Sequence, residues 1–177
     1  MAQAVLARAA FHLPARLSSS LTPPAAARPM ALAASSVITL AGARQAAEAG
    51  LAEAEKLGLK VAVAICDAGG HTLAVYRMDG VMPVSSEISM GKARSAVMFA
   101  RETKLLEGAV NGEKSSGSER AALLSSGHVL MEGGVPITDP ASGRIIGACG
   151  VSGAKPQEDA VVAKAAVASL GTPASKL

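Results

Sequence analysis

From Val37 onward the spacing of apolar positions changes several times, and each change marks an element. Leu40, Ala43, Ala47, Leu51 and Ala54 recur at three- and four-residue steps behind Thr39, a fitting N-cap, and the pattern stops at Gly58. That spacing predicts an amphipathic helix. Residues 61–66 form a nearly continuous apolar run, the mark of a strand buried on both faces. Asp67-Ala68-Gly69-Gly70-His71 then supplies turn chemistry, and residues 72–78 read as the returning strand of a hairpin. Between residues 85 and 103, Ile88, Lys92, Ala96 and Phe99 fall at helical spacing and predict a second helix. A polar, Gly/Ser-rich loop is expected over 111–118, three short strands over 128–131, 135–138 and 144–151, and a closing helix over 157–170. Hairpin-length connections cannot make parallel crossovers, so the order predicts an α+β fold, an antiparallel sheet with helices packed on it.

At 177 residues the chain suits one domain with an appendage. With half of its residues hydrophobic it can bury a sizeable core. Two Phe, one Tyr and no Trp leave little aromatic surface for stacking on single-stranded nucleic acid. The net charge of +3 belongs to the N-terminus, where Arg8, Arg16 and Arg28 stand among the first 36 residues without a single acid. The body is neutral and offers no basic field to a phosphate backbone. Its longest apolar runs are too short to span a bilayer. These features exclude nucleic acid and membrane as expected partners.

Residues 1–36, rich in Ala, Ser, Arg and Pro, have the composition of a mitochondrial or plastid transit peptide, and His12 falls within them. The chain also ends Ser175-Lys176-Leu177, a peroxisomal address, after Gly171-Thr172-Pro173 has broken the last helix. The expected organisation is therefore a leader over 1–36, a domain over 37–170 and an exposed tail over 171–177. The two addresses conflict, and sequence leaves the organelle undecided.

Several residues carry candidate chemistry. Gly147, Gly150 and Gly153 are spaced G-x-x-G-x-x-G, which matches neither a dinucleotide fingerprint nor a phosphate loop. They serve close backbone packing or contact with a flat ligand. Gly133 and Gly134 follow Glu132, and their amides are candidates for an anion-binding nest. His71 at the hairpin turn and His128 at the start of a strand are the imidazoles available for haem iron or proton transfer. Arg77 and Lys92, with Arg94, are candidate cations for carboxylates or propionates, and Arg77 also has Asp79 as a possible ion-pair partner. Cys66 and Cys149 lie in apolar strands and read as core residues with raised pKa values.

Taken in series, residues 61–67 with Gly69-Gly70-His71, Arg77-Met78-Asp79-Gly80, Lys92-Ala93-Arg94, Glu102-Thr103-Lys104, Glu132-Gly133-Gly134-Val135-Pro136, Ile145-Ile146-Gly147, Gly150-Val151-Ser152-Gly153 and Gln157-Glu158-Asp159 resemble the GlcG/HbpS-like family. That family includes the C-terminal domain of PduO-type corrinoid adenosyltransferases. The resemblance implies a profilin-like three-layer α/β/α fold with a five-stranded antiparallel sheet, and a higher homo-oligomer. It implies a binder of haem or a related tetrapyrrole without established catalysis. The ligand set is then His71 on the metal, with Arg77, Lys92, Glu132, Gly133 and Gly134 around one shared cleft. Two alternatives stand beside it: an enzyme or accessory protein acting on a small organic acid such as glycolate, and an oligomeric scaffold.

Overall fold

The computed structural model describes residues 35–111 and 126–171. The expected leader up to Ala34, most of the Gly/Ser-rich loop and the tail from Thr172 lie outside the described residues. Within them the order is α1 (Leu40–Lys56), β1 (Ala62–Asp67), β2 (Thr72–Arg77), α2 (Ser85–Met98), α3 (Thr103–Asn111), β3 (Gly134–Thr138), β4 (Ile145–Ser152) and α4 (Pro156–Ala168).

α1 begins where the sequence places its cap, with Thr39 Oγ1 accepting from the Gly42 amide at 3.1 Å. Its buried positions are Ala43, Ala46, Ala47, Gly50 and Ala54, small residues that let the helix lie close to the sheet. The sheet is antiparallel throughout, in the order β2-β1-β4-β3. β1 is central and buried from Ala62 to Cys66, the two-sided burial that its unbroken apolar run predicts.

The two faces of the sheet differ in side-chain size. Val61, Val63, Ile65, Val135, Ile137, Cys149 and Val151 form one core with Ala43, Ala46 and Ala47 of α1 and Val162, Ala163, Ala166 and Val167 of α4. Cys66 and Ala148 face the other way, against Ala93, Ala96 and Val97 of α2. The sheet is thus covered on both sides, giving three layers. On the α2 side the packing is nearly backbone to backbone. A Cβ at Gly150 would collide with the Ser89 carbonyl and the Ala93 amide. Gly147 lies against the Cys66 carbonyl, and Gly153, at φ +144°, against Lys60 and Val61. All three glycines of the G-x-x-G-x-x-G run therefore serve close packing.

Two expectations require correction. The stretch 128–131 is outside the sheet, which has four strands among the described residues rather than five. Helix side chains hold it and the residue after it instead: the Val129 amide donates to Ser95 Oγ at 2.9 Å, and the Glu132 amide donates to Glu107 Oε2 at 2.7 Å. The helix expected over 85–103 ends at Met98, and a separate helix, α3, begins at Thr103 and runs on to Asn111. α2 closes with bonds from the Ala100 amide to the Val97 carbonyl and from the Arg101 amide to the Ala96 carbonyl, with Ala100 at φ +54°. This is a Schellman ending with alanine where glycine is usual, so no sequence punctuation announces it.

Candidate functional site

The turn between β1 and β2 is built on one carboxylate. Asp67 Oδ1 accepts from the amides of Gly69 and His71, each at 2.9 Å, and Gly70 takes φ +77°. These amide bonds, the one from His71 foremost, hold the Asp67 carboxyl below its ordinary pKa. The His71 ring, its side chain 84% exposed, stands 3.5 Å from the same oxygen through Nδ1.

Beside this turn an open cleft of about 430 Å³ lies between the start of β2, α2 and the segment 127–129. Gly70, Thr72, Gly91 and Val129 shape it, and Glu87, Arg94 and His128 bring its titratable groups. The volume falls in the range of small-molecule and cofactor sites. His71 is not among the lining residues, although its neighbours Gly70 and Thr72 are.

His128 is held on two sides. Its ring meets Phe99 edge-on, with centroids 5.2 Å apart and planes at 68°. Nδ1 lies 3.5 Å from Ser95 Oγ. Burial, and secondarily the positive charge of Arg94, lower the pKa of the ring below the ordinary histidine value. Both causes favour the neutral imidazole.

The other residues that the sequence singles out lie elsewhere. Lys92 and Asp159 form a buried ion pair at 2.7 Å, each side chain 2% exposed. Asp159 Oδ1 also accepts from the Ala154 amide at 3.0 Å. Burial raises the Asp159 carboxyl above its ordinary pKa, with Lys92 opposing the rise. Gly133, at φ +125°, sits directly over the pair, and a Cβ there would meet Lys92 Nζ at 2.8 Å. Glu132 is paired with Lys104 at 3.1 Å, and the Gly134 amide donates to Thr103 Oγ1 at 2.8 Å. The amides of Glu132 and Gly134 are thus engaged by the protein's own side chains.

The structure brings Lys92, Glu132, Gly133 and Gly134 together and sets His71 and Arg77 apart from them. Arg77 pairs with Ala62 at the far end of the hairpin, whereas Thr72 pairs with Cys66 beside the turn. At about 3.3 Å per residue, Arg77 is roughly 16 Å along the strand from Thr72. Both cysteines are free and buried. Burial pushes the Cys66 thiol up to about 11, and Cys149 is raised further by the same cause. Neither is a reactive thiolate near neutral pH.

A sequence reading that assigns 128–131 to a strand undervalues His128. The signal is available in α2, where Ser95 is a buried hydroxyl one turn from Gly91 and beside the small residues Ala93 and Ala96. No group of three or more His, Cys, Asp or Glu side chains among the described residues is arranged to hold a metal ion. None of the described helices is long and apolar enough to cross a membrane.

Residues 38–168 match the model of the HbpS-like family, described as haem degrading protein HbpS-like. Protein GlcG of Escherichia coli K12 is 47% identical over 104 residues, 59% of this chain and 72% of GlcG. A solved PduOC:heme complex superposes with TM-score 0.71 at 26% identity, covering 80% of this chain and all of that one. A double mutant of Streptomyces reticuli HbpS superposes with TM-score 0.67 at 34% identity, over 82% of this chain and 94% of that one.

Proposed function

The chain belongs to the HbpS-like family, and from that premise we propose that it binds haem, or a related tetrapyrrole, in the cleft between α2, the β1–β2 turn and residues 127–129. The observation that carries this reading is the company of an imidazole and a guanidinium in one open cleft, His128 and Arg94. The residues fit the group. Gly127 leaves open space for a flat ring, Gly91 lets Val129 pack close on α2, and Val84, Ile88 and Val129 supply apolar contact. Arg94 would receive a propionate through charge-assisted bonds. His71 enters as a rim residue, on the turn that bounds the cleft. When bound, haem would supply redox and ligand-binding chemistry at iron; the chain supplies the pocket, the cation and the imidazole.

The buried Lys92–Asp159 pair and the Glu132–Gly134 segment have a structural part in this reading. The apolar rim of the cleft, where Val84 and Met98 are exposed, is where a second copy would pack in the expected homo-oligomer. Titrating the purified protein with hemin tests the proposal. A saturable Soret shift at micromolar ligand is the expected result, and its absence rejects haem. Thermal stabilisation by 2-hydroxy acids such as glycolate, without any by hemin, would transfer the cleft to a small carboxylate, with Arg94 as its anchor.

A further inference from the structure

The hydrogen-bond arrangement around Ser95 favours one tautomer of His128. Ser95 is fully buried, and its hydroxyl donates to the Gly91 carbonyl at 2.8 Å, the back-bond of a helical serine. With its only proton committed there, the oxygen has lone pairs alone to offer. One accepts from the Val129 amide at 2.9 Å, and the remaining one faces His128 Nδ1 at 3.5 Å. This arrangement favours a proton on Nδ1, which would leave the free lone pair on Nε2, across the ring.

This is the tautomer that an imidazole needs to ligate a metal, with the other ring nitrogen held by a partner that orients the ring. The edge contact with Phe99 restrains the ring further. His128 lines the cleft, and Gly127, at φ +81°, precedes it. We propose that His128 is the residue that ligates the iron of the bound tetrapyrrole through Nε2, and that Ser95 positions it. This rests on the haem reading of the cleft. The other charged groups facing the cleft are Glu87 and Arg94.

The test is absorption and EPR spectroscopy of the full chain with hemin. Wild type is expected to show nitrogen ligation. His128→Ala should lose that signature, with affinity weakened at least about tenfold, and millimolar imidazole should restore it. His128→Met, which keeps a ligating atom, should give a thioether signature instead. If either variant keeps the wild-type spectrum, His128 is not the ligand, while haem binding stands. If wild type itself takes up no hemin, the haem reading fails and this assignment falls with it. Because His128 is only partly buried, both variants are expected to fold; circular dichroism verifies this before the spectra are compared.

Discussion

The two sides of α2 do opposite things with similar residue types. Its inner side, Ser85, Ser89, Lys92 and Ala96, is closed against the sheet and carries an ion pair sealed from water. Its outer side, Glu87, Ile88, Gly91 and Arg94, opens onto a cleft where a cation and an imidazole meet solvent. Both sides hold one basic residue, yet Lys92 already has its counter-ion at 2.7 Å while Arg94 faces an open space. A buried charge with a partner is committed to the fold, and a charge at a cleft is free to meet a ligand. Spacing along one helix, not residue type, assigns the two roles.

The contrast breaks most severely at the inner side. Lys92→Ala or Asp159→Ala strands the surviving partner in the interior and should cost about 3–5 kcal/mol, measured by urea unfolding. Replacing both together, Lys92→Met with Asp159→Leu, should recover most of that loss; failure to recover would mean that Gly133 and the Ala154 amide depend on the charges themselves. Gly150→Ala is next. Its Cβ meets backbone atoms that cannot rotate away, so α2 must shift, at about 1–3 kcal/mol. On the outer side Arg94→Ala should change stability by less than about 0.5 kcal/mol. It should instead raise the His128 pKa, because a repelling charge is removed, and NMR titration reads the rise.

The sign of that last effect sets a pH window. The folded protein holds a proton on His128 less tightly than the unfolded chain does. Stability from the neutral ring is therefore present above the unfolded histidine value of about 6.5 and is lost as pH falls below it. A ligand on Nε2 competes with the same proton, so hemin release on acidification should follow the lowered pKa and begin earlier in Arg94→Ala.

Elements defined by local chemistry are readable from sequence. Thr39 and Gly58 bracket α1, the apolar run names β1 as a central strand, and Asp67 with two glycines makes the hairpin turn. What escapes is decided by distant partners. Residues 128–131 have a strand's composition, but Ser95, more than thirty positions away in sequence, takes the Val129 amide. Ala100 adopts a left-handed conformation that costs an alanine about 1–2 kcal/mol, and nothing local foretells it. Residue type alone makes Lys92 a cation for a ligand. Its phase with Ser85, Ser89 and Ala96 puts it on the buried stripe, and that phase is the better guide. The expected shared cleft does not form around His71, Arg77 and Glu132 because a strand's length separates the two ends of the hairpin.

The Lys92–Asp159 pair joins α2, which covers one face of the sheet, to the first turn of α4, which packs on the other. Neither layer can peel away while the other stays in place, since departure of either leaves a lone charge in a greasy interior. Melting should consequently proceed as one cooperative event, without a stable half-assembled intermediate that retains only one helical layer.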